Sequence, residues 1–176
     1  MSTALVRITL LGALLSCAPG APAFGPSDTG ALPTPANFIV GTWNVQGAVA
    51  PCGVSATPSP ILATVVFHAG GTLSETNTFP LTGAPSPWGM SKRGPGYGTW
   101  EYDRKTDRYT YWIRFFWFVN DLYHGYQQVG PIVVALAPDG MSYTGPIQAE
   151  RWIYDPATQT HSKALEFCGT QTGERF

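Results

Sequence analysis

Hydrophobic and polar residues alternate with a period of two along most of this chain, which is typical of β-strands with one buried face. Eight such stretches follow Pro35, separated by turn residues rich in Gly, Pro and Asp. The predicted strands span residues 38–50, 61–68, 72–78, 96–103, 108–119, 126–137, 141–154 and 161–176. No convincing amphipathic helix accompanies them. The pattern predicts an all-β fold, a single antiparallel up-and-down β-barrel of about eight strands.

Short turns join several of these strands in sequence order. The turns that predict β-hairpins are residues 69–71, 104–107 and 138–140. Opposite residues of an antiparallel pair have a constant sum of residue numbers, so the second turn pairs Asp103 with Arg108. Residues 80–95 show no alternation, and we expect them to form a flap over one end of the barrel.

The first residues are typical of an export signal. Arg7 precedes a short apolar run at residues 8–15, which is too short to span a bilayer. Ala21-Pro22-Ala23 suits cleavage by signal peptidase I. Leu14-Leu15-Ser16-Cys17 resembles a lipobox, in which Cys17 carries a lipid anchor and becomes the mature N-terminus. Both outcomes stay open.

Three segments follow from these features. We predict a signal peptide over residues 1–23, a Pro/Gly/Ala-rich tether over 24–36 and the barrel domain over 37–176. The protein is expected to be periplasmic, secreted or lipid-anchored at the cell surface, with no transmembrane span. Its net charge of -1 offers no basic surface for nucleic acid.

One strand register brings the two ends of the barrel domain together. If the first and last strands pair, Trp43 lies opposite Arg175, and both side chains point inward. The same register places Cys52 within two residues of the position opposite Cys168. Export permits disulfides, and Cys17 falls in the leader, so we predict an outward-facing Cys52–Cys168 disulfide.

Gly41-Thr42-Trp43 on the first strand, together with Arg175 on the last, resembles the calycins, meaning the lipocalins and related barrels. In that superfamily a Gly-x-Trp packs under an Arg from the closing strand. FHAGGTLSET, GTWE and GTQTGERF (residues 67–76, 98–101 and 169–176) are similar to stretches of exported bacterial lipocalin-like proteins. The resemblance implies a barrel with Trp43 and Arg175 in structural roles, and it says little about a ligand.

Aromatic residues are concentrated in the strand YTYWIRFFWF, residues 109–118. Alternation turns one set of side chains into the barrel and another set outward. The inward set, together with the residues paired with it, predicts the ligand-contacting residues Trp100, Tyr102, Tyr111, Ile113, Phe115 and Trp117. The outward set is Trp112, Phe116 and Phe118, which the flap, the tether or a second copy in a homodimer would cover. Arg114 lies in the middle of this outward row, where Glu101 has the parity to pair with it.

Polar residues on the strand at 72–78 raise a further choice. If Leu73 points inward, Glu75 and Asn77 do so too and would contact a ligand. Glu75 is then either a general acid or base, or a rim carboxylate, or a carboxylate paired with an Arg such as Arg151. A turn of two residues and a turn of three residues before this strand would point Glu75 to opposite faces of the sheet, so the choice stays open.

Catalytic and metal signatures are missing from the sequence. Gly-x-Ser-x-Gly, His-Glu-x-x-His and Cys-x-x-Cys do not occur, and the histidines share no ligand spacing. We predict no metal and no cofactor. The leading hypothesis is a carrier of a small apolar or aromatic molecule. A cofactor-independent cyclase, isomerase or decarboxylase using Glu75 and Tyr111 is the second, and a filled barrel that binds a partner is the third. Whether the protein is an enzyme stays open.

Overall fold

A computed structural model describes residues 35–176 of the chain. The signal peptide predicted over 1–23, the lipobox Cys17 and residues 24–34 of the tether lie outside the described residues. A 3₁₀ helix at Pro35–Ile39 precedes ten strands. The strands are β1 (Gly41–Pro51), β2 (Ser59–Phe67), β3 (Thr72–Asn77), β4 (Ala84–Ser86), β5 (Gly89–Arg93), β6 (Gly96–Asp103), β7 (Arg108–Val119), β8 (Leu122–Leu136), β9 (Ser142–Asp155) and β10 (Thr160–Arg175).

Eight of these strands form a closed antiparallel barrel, which confirms the predicted fold class. β1, β2, β3 and β6 to β10 each pair with the next along the chain, and β1 closes the barrel against β10. The short hairpin β4–β5 is inserted between β3 and β6, in the segment expected to be a flap. β5 pairs with residues 117–119 at the end of β7, beyond the part of β7 that β6 occupies. Among residues 35–176, no helix is long and apolar enough to cross a membrane.

The predicted registers at closure and in the second hairpin are confirmed. Trp43 lies opposite Arg175, and Asp103 lies opposite Arg108. Two predicted strand starts are wrong. Residues 38–40 precede β1, because the chain forms the 3₁₀ helix there. β8 begins at Leu122 rather than Tyr126, because Asn120 and Asp121 both have positive φ and form a two-residue turn.

The 3₁₀ helix fills one end of the barrel. Trp43 Nε1 donates a hydrogen bond of 2.8 Å to Ile39 O, and both residues are fully buried. The Arg175 guanidinium lies 4.5 Å from the Trp43 ring and donates to Val40 O at 2.9 Å. Gly41 has a φ of 134°, and a Cβ there would come within 2.8 Å of Arg175 Nη1. The close approach of Arg175 therefore requires the glycine of the Gly-x-Trp motif.

Strict alternation on β7 separates the barrel interior from the outer face. The inward residues Tyr109, Tyr111, Ile113, Phe115, Trp117 and Val119 are all buried. On the outer face Phe116 is 53% exposed and packs edge-on against Tyr123 of β8. Trp112 and Phe118 are half-buried on the same face. The predicted Arg114–Glu101 pair is wrong, because Glu101 lies opposite Thr110 and Arg114 donates instead to Gln128 Oε1. The homodimer stays a prediction.

Candidate functional site

A cavity of about 270 Å³ occupies the half of the barrel away from the 3₁₀ helix. This volume lies near the lower end of small-molecule pockets, which span about 300–1,000 Å³. The exposed residues Ser59 and Pro60 line it, so the cavity communicates with solvent at this end, here called the open end. Its wall is mostly apolar and includes Val45, Ile61, Ile113, Phe115, Ile147 and Ala149.

Most of the predicted ligand-contacting residues line this cavity. They are Glu75, Asn77, Tyr111, Ile113, Phe115 and Trp117. Trp100 and Tyr102 do not line it. Trp100 packs against Phe67 and donates Nε1 to His68 O at 3.0 Å, while Tyr102 donates to Asp107 at 2.7 Å. Both lie at the end that the 3₁₀ helix fills. Alternation predicts whether a side chain points inward, but it does not predict how far along the barrel axis the side chain lies.

The floor of the cavity is polar. Gln171 Nε2 donates to the Tyr111 hydroxyl at 2.5 Å, and the hydroxyls of Tyr111 and Tyr143 lie 3.5 Å apart. Burial raises the pKa of Tyr143 to about 12 and that of Tyr111 well above its ordinary value. Both phenols are therefore protonated at neutral pH, and the floor carries hydrogen-bonding groups without charge.

Glu75 forms an ion pair inside the barrel. Arg93 of β5 donates Nη1 and Nη2 to the two carboxylate oxygens of Glu75, at 3.1 and 2.5 Å, and both side chains are 6% exposed. Gly96 on β6 makes room for this pair, because a Cβ there would come within 2.4 Å of Glu75 Oε2. The expected pairing of Glu75 with Arg151 is wrong, since the partner comes from the β4–β5 hairpin.

Arg151 of β9 is a second arginine inside the barrel. Its guanidinium lies 3.7 Å from the ring centroid of Trp117, and the residue is 6% exposed. Nε and Nη2 both donate to Gln127 Oε1, at 3.2 and 3.0 Å. Among residues 35–176, no carboxylate lies within salt-bridge distance of it. Burial lowers the pKa of Arg151 to about 9, which leaves the group charged at neutral pH.

The β4–β5 hairpin also packs against His124 at the open end. The Trp88 ring, from the hairpin turn, lies 5.4 Å from the imidazole of His124. His124 Nδ1 is buried and has no hydrogen-bond partner within the part of the chain that the structure describes. Burial, and secondarily the charge of Arg151, lower the pKa of His124. The ring is therefore neutral at neutral pH.

Sequence reasoning missed four polar residues of the cavity: Ser59, Arg93, Gln127 and Gln171. It named Arg151 only as a partner for Glu75. Arg151 and Gln171 could have been predicted to point inward. Each lies two residues from an inward-facing residue of an alternating strand, Ala149 and Gly173 respectively. Arg93 could not be predicted in this way, since β5 is too short to show a pattern.

No protein-family model matches this chain, and no curated protein and no solved structure matches it either. The resemblance to the calycins therefore stays a prediction.

Proposed function

We propose that this protein binds a small apolar or aromatic molecule inside its barrel. The observation that carries the proposal is the 270 Å³ cavity, apolar over most of its wall and open to solvent at one end. A filled structural barrel would have no such space. The rings of Phe115 and Trp117, each with a guanidinium over one face, add aromatic contact area, and the floor at Tyr111 and Gln171 offers hydrogen bonds that orient a ligand.

The enzymatic alternative has one observation in its favour, since Glu75 lies in the cavity. A general acid or base needs an oxygen free to exchange a proton with the substrate. Arg93 engages both carboxylate oxygens of Glu75, so the pair is better suited to hold the hairpin against the barrel. Binding is therefore the function that the geometry favours.

Export is part of the same proposal. The Cys52–Cys168 disulfide predicted from the sequence is present, with a Cα–Cα distance of 5.0 Å. Disulfides persist in oxidising compartments, which agrees with the leader pattern of the first residues. A periplasmic, secreted or lipid-anchored barrel would meet small apolar molecules outside the cytoplasm.

Fluorescence of N-phenyl-1-naphthylamine, a neutral aromatic probe, tests the proposal. We expect saturable enhancement of the probe at about one site per chain, with energy transfer from tryptophan. Trp117→Phe should reduce the transfer because Trp117 lines the cavity, whereas Trp112→Phe, on the outer face, should change it much less. Fluorescence that does not saturate as the dye is added, or bound dye that decan-1-ol does not displace, would argue for a barrel without a ligand.

A further inference from the structure

Arg151 stands apart from the other arginines whose contacts are described. Arg93 has the carboxylate of Glu75, and Arg175 donates to backbone carbonyls at the closed end. Arg114 lies on the outer face, where water reaches it. Arg151 alone combines burial with the lack of a carboxylate partner among residues 35–176. A buried charge without a partner is costly, so its presence calls for an explanation.

Hydrogen-bond donors outnumber acceptors around Arg151. Gln127 Oε1 accepts from Arg151 Nε and Nη2, and also from Trp117 Nε1 at 3.3 Å. A guanidinium has five N–H donors, so those on Nη1 and the second on Nη2 have no protein partner within the described chain. The side chain lines the cavity. What this corner lacks is an acceptor.

The balance of charge in the cavity points the same way. Its charged lining residues are Glu75, Arg93 and Arg151, so one positive charge is left once the ion pair is formed. His124 nearby is neutral, so it leaves this balance unchanged. An interior of this kind attracts an anion small enough to enter through the open end.

We propose that Arg151 binds the carboxylate of the ligand, which makes the natural ligand class small apolar or aromatic acids. This rests on the proposed function and narrows it. The planar guanidinium suits a carboxylate bidentately, and stacking on Trp117 fixes its orientation. The acid group lies toward the open end beside Arg151. The hydrocarbon part extends along Ile113, Val45 and Ile147 toward the floor.

Displacement of N-phenyl-1-naphthylamine by a matched pair of competitors tests this. Decanoate and decan-1-ol have the same chain length and differ in the head group. We expect decanoate to bind the wild-type protein at least about tenfold more tightly, as charged hydrogen bonds predict. Arg151→Met should remove that preference, so that decanoate and decan-1-ol bind the variant within about threefold of each other.

The chain offers a matched control on its outer face. Arg114 donates to Gln128 Oε1 at 2.7 Å and lies 4.5 Å from the Tyr126 ring, so it makes the same kinds of contact as Arg151 but on the exposed outer face. Arg114→Met should leave the preference for decanoate intact. Arg151→Gln serves as a second variant if Arg151→Met does not fold, as judged by dye binding and near-UV circular dichroism.

The outcomes separate the two proposals. A dye that does not bind the wild type contradicts the proposed function itself. A dye that binds, with decanoate and decan-1-ol equal as competitors, overturns only the carboxylate subsite. A preference that survives in a folded Arg151 variant also overturns it. A crystal structure with decanoate decides independently of any variant: we expect carboxylate oxygens about 2.7–2.9 Å from Arg151, and a carboxylate placed elsewhere contradicts the assignment.

Discussion

Two arginines lie inside the barrel on neighbouring aromatic rings of β7, and they differ in their partners. The Arg93 guanidinium lies 3.7 Å from the centroid of Phe115 and is paired with Glu75. Arg151 lies at the same distance from Trp117 and has only the amide of Gln127. Arg93 therefore has its counter-charge within the protein, whereas Arg151 has hydrogen-bond donors left for a ligand.

The Glu75–Arg93 pair should matter for stability. Glu75→Gln leaves the buried Arg93 without a counter-charge, so we expect the free energy of unfolding to fall by about 3 kcal/mol. Adding Arg93→Gln should recover part of this loss, because the second change removes the unpaired charge. Urea unfolding of the single and double variants, analysed as a double-mutant cycle, measures both effects.

Lys163 and Glu166 provide the matched surface pair. Their side chains are 42% and 52% exposed, so Glu166→Gln should cost less than about 1 kcal/mol. If Glu75→Gln costs no more than this surface change, the pair inside the barrel is not the fixed contact described above.

For single residues, the sequence predicts which way a side chain points better than it predicts which residue the side chain contacts. Alternation on β7 correctly turned Phe115 and Trp117 inward. The partner of Glu75 could not be predicted in the same way, because Arg93 comes from a segment without periodicity. Which charged residues form an ion pair depends on how the chain folds in three dimensions, and a two-residue period carries no information about that.

The β4–β5 hairpin lies beside the open end of the barrel and contributes Arg93 to the cavity wall. It has strands of three and five residues, and only residues 91–93 of β5 pair with the barrel. The Arg93–Glu75 pair, the contact of Trp88 with His124, and polar contacts of Met90 and Lys92 with the β7–β8 turn supply its other anchors. Its strands are much shorter than those around it, so we expect it to open more easily than they do.

Trp88 should therefore affect the rate of ligand exchange. Trp88→Ala removes the contact over His124, and we expect N-phenyl-1-naphthylamine to associate and dissociate faster, with a smaller change in Kd. Stopped-flow fluorescence measures both rates. Leu81→Ala is the control, since Leu81 lies in the same segment and is 97% exposed. Equal rates in both variants and the wild type would show that the hairpin does not gate the cavity.

Long elements were predictable and short ones were not. β6 and β7 have the predicted bounds, because a four-residue turn and strict alternation fix their register. The 3₁₀ helix was not predicted, and residues 80–95 were predicted only as a flap, without the β4–β5 hairpin, since neither element is long enough to show a period. The 3₁₀ helix fills one end of the barrel, and the hairpin contributes Arg93 to the cavity at the other.

On the scale of the whole molecule, closure depends on the pairing of β1 with β10. Cys168 lies opposite Ala50, and Cys52 follows two residues later, where β1 ends. Assumed pairing of the first and last strands, together with the constant sum of opposite residues, predicted this register. The disulfide was predicted from the placement of the three cysteines and agreed with it. The constant sum could not predict that half of the interior is filled by Trp43, Phe67 and Trp100 and the other half is open. That depends on side-chain volumes summed around the barrel and on the 3₁₀ helix.

The disulfide should contribute to stability without shaping the cavity. It joins residues separated by 116 positions, and such a cross-link restricts the unfolded chain strongly. We expect the variant Cys52→Ala/Cys168→Ala to lose about 2–5 kcal/mol of unfolding free energy, measured by urea. The β1–β10 register is held by backbone pairing, so the far-UV spectrum and the affinity for N-phenyl-1-naphthylamine should stay unchanged.

Reduction of the wild-type protein provides the control, because it breaks the same bond without changing a side chain. Reduced wild type and the double-alanine variant should unfold at the same urea concentration. If the variant loses dye binding while the reduced protein keeps it, the side chains and not the cross-link shape the open end. If neither is destabilised, the ends of the barrel are already held together by the backbone pairing of β1 and β10 alone, and closure owes nothing to the disulfide.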